Sequence, residues 1–351
     1  MKTSLTELLG CRYPIIQTAM GWVADSVLVS ATCNAGGFGF LAGAVMTLEE
    51  IERSIADIKA RTDAPFGVNF HMYVPYAEDI VDLCIEQKVK AVSYSRSPSS
   101  ASIEKLKRAG IVCIPTVGAM KHAVKAVELG ADALVIQGGE GGGHTGSVAT
   151  TILLPQVREA VTVPIAAAGG FRSGAGLVAA MALGADGIAM GTRFLLTQES
   201  PVPENTKAVY IKTPPEQIVV STKLDGLPQR MIANSYLSDL MRATGIGLLV
   251  RAIRNGIAFT RLTGGSLLGM LRSAWKMYRS GNTTLGQTMM AANAPMMIQE
   301  AMVKGIPDKG ILPSGQVAGV ISDIPTVDAL ILRIMSDADA TLNSLATCHR
   351  G

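Results

Sequence analysis

The chain has 351 residues, 48% hydrophobic, 17% charged and 5% aromatic, with 37 glycines and a formal net charge of +3. So small a charge does not mark nucleic acid as a partner, and the apolar stretches, broken as at Arg251 and Arg254, fall short of the roughly 20 residues a bilayer span demands. Five scattered cysteines (Cys11, Cys33, Cys84, Cys113 and Cys348), with no CxxC and no Cys/His cluster, argue against a zinc site and a disulfide framework, so no metal is expected.

In chain order, residues 1–20 include Glu7 and Arg12 and lack a continuous apolar core, so they do not read as a signal peptide and a cytoplasmic protein is expected. The first strand is predicted at 15–17, and PIIQTAMGWV (14–23) puts Ala19, Met20 and Gly21 directly after it, where small residues let a flat ring lie against the backbone. Met20 would serve equally as core filler. A helix near 24–34 leads to strand 37–41, and a helix over 47–60 leads to strand 66–70. PFGVNFH (65–71) ends that third strand with Asn69, whose amide both donates and accepts, and then His71; a plain turn role for Asn69 stays open. Helix 77–87, strand 90–93, helix 101–109, strand 112–117 and helix 119–129 follow, and the sixth strand, 133–137, ends at Gln137 with the same dual chemistry as Asn69.

QGGEGGGHTG (137–146) comes straight after that strand. Its glycines let backbone N–H groups approach a ligand closely, and His144 sits at its end. A flexible linker is the alternative, but a strand leads in, and the C-terminal ends of barrel strands are where active sites are built. After a short helix near 155–161 and strand 164–168, AAAGGFRSGAG (166–176) places Ala168, Gly169 and Gly170 in a tight turn before a helix over 174–183. Free N–H groups and a helix N-terminus there suit a phosphate. The eighth strand, 187–190, ends in AMGTRF with Met190, Gly191 and Thr192, and barrels commonly hold phosphate in the loops after strands seven and eight. His122 and His349 read as structural or exposed.

Eight βα units call for parallel strands with helical crossovers and favour a closed α/β (β/α)8 TIM barrel over an open sheet. LGADALVIQGG (129–139) and LGADGIAMGTR (183–193) repeat the unit of helix, capping Gly and strand. The barrel is assigned to 1–202 and 301–351, and 203–300 to a helical cap inserted after strand eight. A final helix is predicted over 326–345.

Taken together, PIIQTAMGW, NAGGFGFLA (34–42), PFGVN, GGEGGGHTG, AAGGFRSG, LGADGIAMGTRFLLTQES (183–200) and SGQVAG (314–319) closely resemble the nitronate monooxygenase or 2-nitropropane dioxygenase family of FMN barrels. The resemblance implies FMN as cofactor. Ala19, Met20 and Gly21 would line its ring, Asn69 and Gln137 would meet its polar edge with His71 and Thr116 nearby, and Gly142 and Gly143 would approach its side chain. Gly169, Gly170, Gly191 and Thr192 would hold the phosphate, Ala168 and Met190 would also bind the cofactor, Gln316 would face the substrate, and His144 would be the catalytic base. Some members carry Lys where this chain has Thr116, so a positive charge near the flavin would be missing.

The insertion resembles that of a subgroup from steroid-ring breakdown acting on a bicyclic CoA thioester, through VSTKLDGLPQR (220–230), MAANAPMM (290–297) and LPSGQVAG. Between 228 and 280 lie Arg230, Arg242, Arg251, Arg254, Arg261, Arg272, Lys276 and Arg279 against Asp239 alone, a local charge of +7. A CoA tail with its phosphates would be attracted by it; a solvated helix face or a surface for a second subunit in a homodimer is the alternative. Nitroalkanes and thioesters are both carbon acids, and an imidazole is suited to move the proton at neutral pH. Two functions follow: oxidation of alkyl nitronates with oxygen, placed first, and reduction or dehydrogenation at the α,β positions of a CoA thioester, with NAD(P)H or another redox partner.

Overall fold

Strands buried on both faces read as near-continuous Val/Ile/Ala runs, and the eight expected runs fold in this way. The computed structural model describes residues 1–72, 74, 76–95, 98–242 and 293–348. Its strands are β1 (Ile15–Gln17), β2 (Phe38–Ala42), β3 (Gly67–His71), β4 (Ala91–Ser95), β5 (Val112–Cys113), β6 (Thr116–Val117), β7 (Leu134–Gln137), β8 (Gly143–His144), β9 (Ile165–Ala168) and β10 (Gly187–Met190). All but β8 form one parallel sheet in the order β5-β4-β3-β2-β1-β10-β9-β7-β6. The two ends of that order, β5 and β6, are halves of the single run 112–117, so the sheet closes on itself. Ile114 N–H still donates to Val92 O at 2.8 Å on one side, while Val135 N–H donates to Pro115 O at 2.9 Å on the other. Pro115, lacking an N–H, breaks the ladder between the halves. The result is an eight-stranded α/β barrel.

Alternation of period two sorts the side chains. Ile16, Phe38, Phe40, Ala91, Ile114, Ala133, Val135, Ala166 and Ala189 form the cluster that fills the barrel, joined by Leu5 and Leu9 of α1 (Ser4–Leu9), which comes just before β1. The residues between them face outward onto helices α2 (Ser26–Asn34), α3 (Leu48–Arg61), α4 (Ala77–Glu86), α5 (Ser100–Arg108), α6 (Met120–Glu128), α7 (Thr150–Ala160) and α8 (Gly174–Ala182). Helix α7 starts five residues before its expected start, with Pro155 inside it. No side chain adjacent in sequence caps it. Glu140, ten residues earlier, accepts from Thr150 N at 3.0 Å and from Thr150 Oγ1 at 2.7 Å, an N-terminal cap supplied from another loop.

After the barrel come α9 (Thr192–Leu195), α10 (Glu204–Lys212), β11 (Ile218–Ser221), β12 (Gln229–Ile232), α11 (Ser235–Arg242), α12 (Asn293–Met302) and α13 (Val327–Cys348). The segment read as a helical insertion therefore also carries a hairpin that the sequence reading did not anticipate, and it pairs antiparallel with β8 in the order β11-β12-β8. The return segment is tied to the barrel by buried Arg193, which donates to Asp323 Oδ1 at 2.7 Å and to Asp323 O at 2.8 Å. Helix α13 lies on α8 so closely that a Cβ on Gly174 would collide with the backbone at Ala338 N and Ile334 O. Gly174→Ala is therefore expected to cost about 3 kcal/mol as the helices part, read from the denaturation midpoint; a loss below about 1 kcal/mol would show that α13 yields freely. Among the described residues no helix is long and apolar enough to cross a membrane.

Candidate active site

The turns singled out in the sequence meet at the C-terminal rim of the barrel. Gly191 leans on the loop after β1, since a Cβ there would lie 3.1 Å from Thr18 Oγ1 and 3.4 Å from Met20 Sδ. Next to it, Thr192 Oγ1 accepts from Gly315 N at 2.9 Å, and Gln316 N donates to Glu140 O at 3.0 Å, which brings the SGQ segment between the loops after β10 and β7. Gly142 packs on that segment with no room for a side chain: a Cβ would meet Gly315 N at 2.5 Å. Gly138 N donates to Ala168 O at 3.0 Å, and a Cβ on Gly169 would lie 3.2 Å from Gly138 O. One contiguous wall thus holds Met20, Gly191, Thr192, Gly315, Gln316, Glu140, Gly142, Ala168 and Gly169. Within it, Ala19 and Met20 precede Trp22, whose φ of 60° is unusual for a bulky residue, in a turn closed by Val23 N and Ala24 N on Met20 O.

Across the barrel mouth, Asn69 and Thr116 stand one inward position beyond Gly67 and Ile114, and Gln137 and Ala168 pair in register on β7 and β9. Asn69 Nδ2 donates to Ser93 O at 3.1 Å, so its amide orientation is fixed. Gln137 Nε2 donates to His144 O at 2.8 Å, so one of its donors holds the glycine loop. His71 ends β3 on the same rim; His122 lies on the exposed face of α6, and His349 lies outside the described residues.

His144 is placed by β8, a two-residue strand whose ladder pairs His144 with Gln229 and Gly143 with Arg230. Its Nε2 lies 2.7 Å from Asp225 Oδ2; the imidazole is 58% exposed and the carboxylate only 7%. Gln229 Nε2 donates to the same oxygen at 2.6 Å, and Leu227 N donates to Asp225 Oδ1 at 3.0 Å. A carboxylate on one nitrogen of this half-exposed ring leaves the other nitrogen to take a proton. Neither Asp225 nor Gln229 was singled out in the sequence. The Asp225–Gly226 pair between Ile218–Ser221 and Gln229–Ile232 is a hairpin signal that could have exposed them.

The rim also suits a phosphate. Gly169 and Gly170 adopt φ of 101° and 86°, open only to glycine at little cost. Helix α8, N-capped by Ser173, begins four residues on, and Thr192 keeps its hydroxyl proton to donate while its oxygen accepts from Gly315. A mononucleotide cofactor fits these donors. Cysteine chemistry has no place here: burial pushes Cys33, Cys84 and Cys113 up to about 12 and Cys11 up to about 11.

Arg230, one of the cations counted in the insertion, donates from Nη2 and Nε to Gly139 O, at 2.7 and 3.0 Å, and from Nη1 to Ile218 O at 3.2 Å. It is a tie between the hairpin and the glycine loop, and its burial lowers its pKa against the pull of Glu140. Arg242 is exposed on α11; Arg251, Arg254, Arg261, Arg272, Lys276 and Arg279 lie outside the described residues.

The nitronate monooxygenase family model matches residues 2–337. A Rhodococcus jostii protein named (3aS,4S,5R,7aS)-5-hydroxy-7a-methyl-1-oxo-octahydro-1H-indene-4-carboxyl-CoA dehydrogenase is 46% identical over 345 residues, 98% of each chain. A probable nitronate monooxygenase of Staphylococcus saprophyticus is 31% identical over 287 residues, 68% of this chain and 81% of that one. Among solved structures, FabK from Thermotoga maritima superposes with a TM-score of 0.80 at 30% identity over 99% of both chains. With the family matched from end to end of the barrel, the chain belongs to the nitronate monooxygenase family and is an oxidoreductase.

Proposed function

We propose that the protein is an FMN-dependent oxidoreductase that removes hydrogen across the α,β carbons of a CoA thioester, with His144 as base. The observation that carries this reading is the 46% identity to the carboxyl-CoA dehydrogenase, which runs through 98% of both chains and so through the insertion that supplies β11, β12 and Asp225. The nitronate monooxygenase relative aligns with only 68% of this chain, so the thioester reading moves ahead of the one placed first from the sequence. Oxidation of nitronates stays as a second reading, favoured by the family match and using the same rim.

When bound, FMN supplies the acceptor for the two electrons and the hydrogen that leave the β carbon. Gly169, Gly170 and Thr192 would donate to its phosphate, Ala19, Met20 and Ala168 would flank its ring, and Asn69, Thr116 and Gln137 would face its polar edge. A thioester carbonyl acidifies the adjacent carbon, and His144 takes that proton on the nitrogen turned away from Asp225. The cations between 242 and 279 suit the phosphates of the CoA tail. Steady-state assays decide between the readings. A fused-ring hydroxyacyl-CoA with an artificial electron acceptor should turn over at least roughly 100 times faster, in kcat/KM, than propionate 3-nitronate releases nitrite, a gap of about 2.7 kcal/mol in transition-state binding. Efficient nitrite release with no thioester turnover would replace this reading by the second.

A further inference from the structure

We infer that Asp225, backed by Gln229, is the positioning residue that keeps His144 in its Nε2–H tautomer and so makes Nδ1 the atom that accepts the substrate proton. The inference rests on the base role proposed above for His144, but its geometry stands on its own. The backbone of His144 is already fixed, by the β8–β12 ladder, by Gln137 Nε2 on His144 O and by Thr145 N on Pro228 O at 3.1 Å. What the backbone leaves undecided is which ring nitrogen carries the proton. Asp225 decides it, because a carboxylate can only accept. Three donors converge on that buried carboxylate: His144 Nε2 at 2.7 Å and Gln229 Nε2 at 2.6 Å on Oδ2, and Leu227 N at 3.0 Å on Oδ1.

The two nitrogens on Oδ2 lie 3.2 Å apart. They are neighbours around one oxygen, both donating to it, and not partners of each other. Turning the Gln229 amide over would set Oε1 against Oδ2 at the same short distance, acceptor on acceptor, so the amide orientation follows from the carboxylate. Gln229 therefore aims Asp225, and Asp225 aims the imidazole. The other charged groups on the packed elements are Glu140, held by Thr150; Arg230, held on two carbonyls; and Lys223, exposed on the same turn.

A merely structural role for Asp225, closing the turn through Leu227 N, would survive replacement by Asn, which keeps that acceptor. Tautomer control would not. In Asp225→Asn the new amide keeps its oxygen on Leu227 N and turns its NH2 towards His144, whose Nε2 must then accept and whose proton moves to Nδ1. The test is 15N-histidine NMR of the FMN-loaded protein, with resonances assigned by His144→Gln, alongside turnover of Asp225→Asn. The expected results are an Nε2–H tautomer in the wild type, an Nδ1–H tautomer in Asp225→Asn, and a kcat lower by about 100-fold with KM changed less than about threefold and a larger α-deuterium isotope effect. An Nδ1–H tautomer in the wild type overturns the inference without any variant, even should Asp225→Asn not fold. Wild-type turnover in Asp225→Asn overturns it as well. An Nε2–H wild type that never turns over a thioester supports the positioning role and removes the thioester reading.

Discussion

Replacing His144 by Ala is expected to lower turnover of a CoA thioester by roughly 100- to 10,000-fold, the span that a positioned general base contributes, while FMN remains bound. The loss is confined to the proton step because the backbone work of His144 does not need its ring. Its carbonyl still accepts from Gln137, and its ladder to Gln229 persists. Asp225 keeps Gln229 and Leu227 as donors, so no buried carboxylate is orphaned and the fold should hold. A nitronate, already an anion, requires no proton removal and should suffer less from the same change. The measurement is kcat for both substrates, with visible flavin absorbance as the control for occupancy; thioester turnover within about threefold of wild type would place the base elsewhere.

Gly169→Ala is expected to weaken FMN binding by about 10- to 100-fold, or about 1.4 to 2.8 kcal/mol, with much less effect on His144. The backbone there sits at φ 101°, where a side chain costs roughly 1–3 kcal/mol. The new Cβ would also lie 3.0 Å from Thr150 Oγ1, the hydroxyl that donates to Glu140 Oε2 at 2.7 Å. Relief of that contact moves the turn whose N–H groups the phosphate would use. Gly170→Ala shares the backbone strain, at φ 86°, but its Cβ finds no atom nearer than Glu140 Cβ at 3.7 Å, so it should weaken binding less. Titration of apoprotein with FMN, followed by quenching of flavin fluorescence, ranks the two. Unchanged affinity in both would mean that the phosphate is held elsewhere.

The barrel was legible because burial on both faces writes parallel strands as plain apolar runs; even 112–117, predicted as one strand, is one strand interrupted at Pro115. Local signals sufficed for β1 to β7, β9 and β10 and for the glycine turns, whose chemistry does not depend on a distant partner. Where the deciding contact came from far along the chain, the sequence was mute. The start of α7 depends on Glu140 ten residues away, and the carboxylate behind His144 comes from 81 residues on. Arg230 shows the converse: a cation counted for its charge proved to be a hydrogen-bonding tie, because only the fold reveals that Gly139 O and Ile218 O surround it. His144 was singled out by position, at the end of a glycine loop following a barrel strand. That it sits on a strand borrowed by the hairpin could not be read from two residues.

The proposed reaction needs one pocket that joins flavin, thioester and His144, and anaerobic stopped-flow mixing of the FMN-loaded enzyme with a fused-ring hydroxyacyl-CoA tests it. The visible flavin absorbance should bleach within the first turnover in the wild type and at least roughly 100 times more slowly in His144→Ala. A flavin that stays oxidised with the thioester, yet bleaches with propionate 3-nitronate, would contradict it.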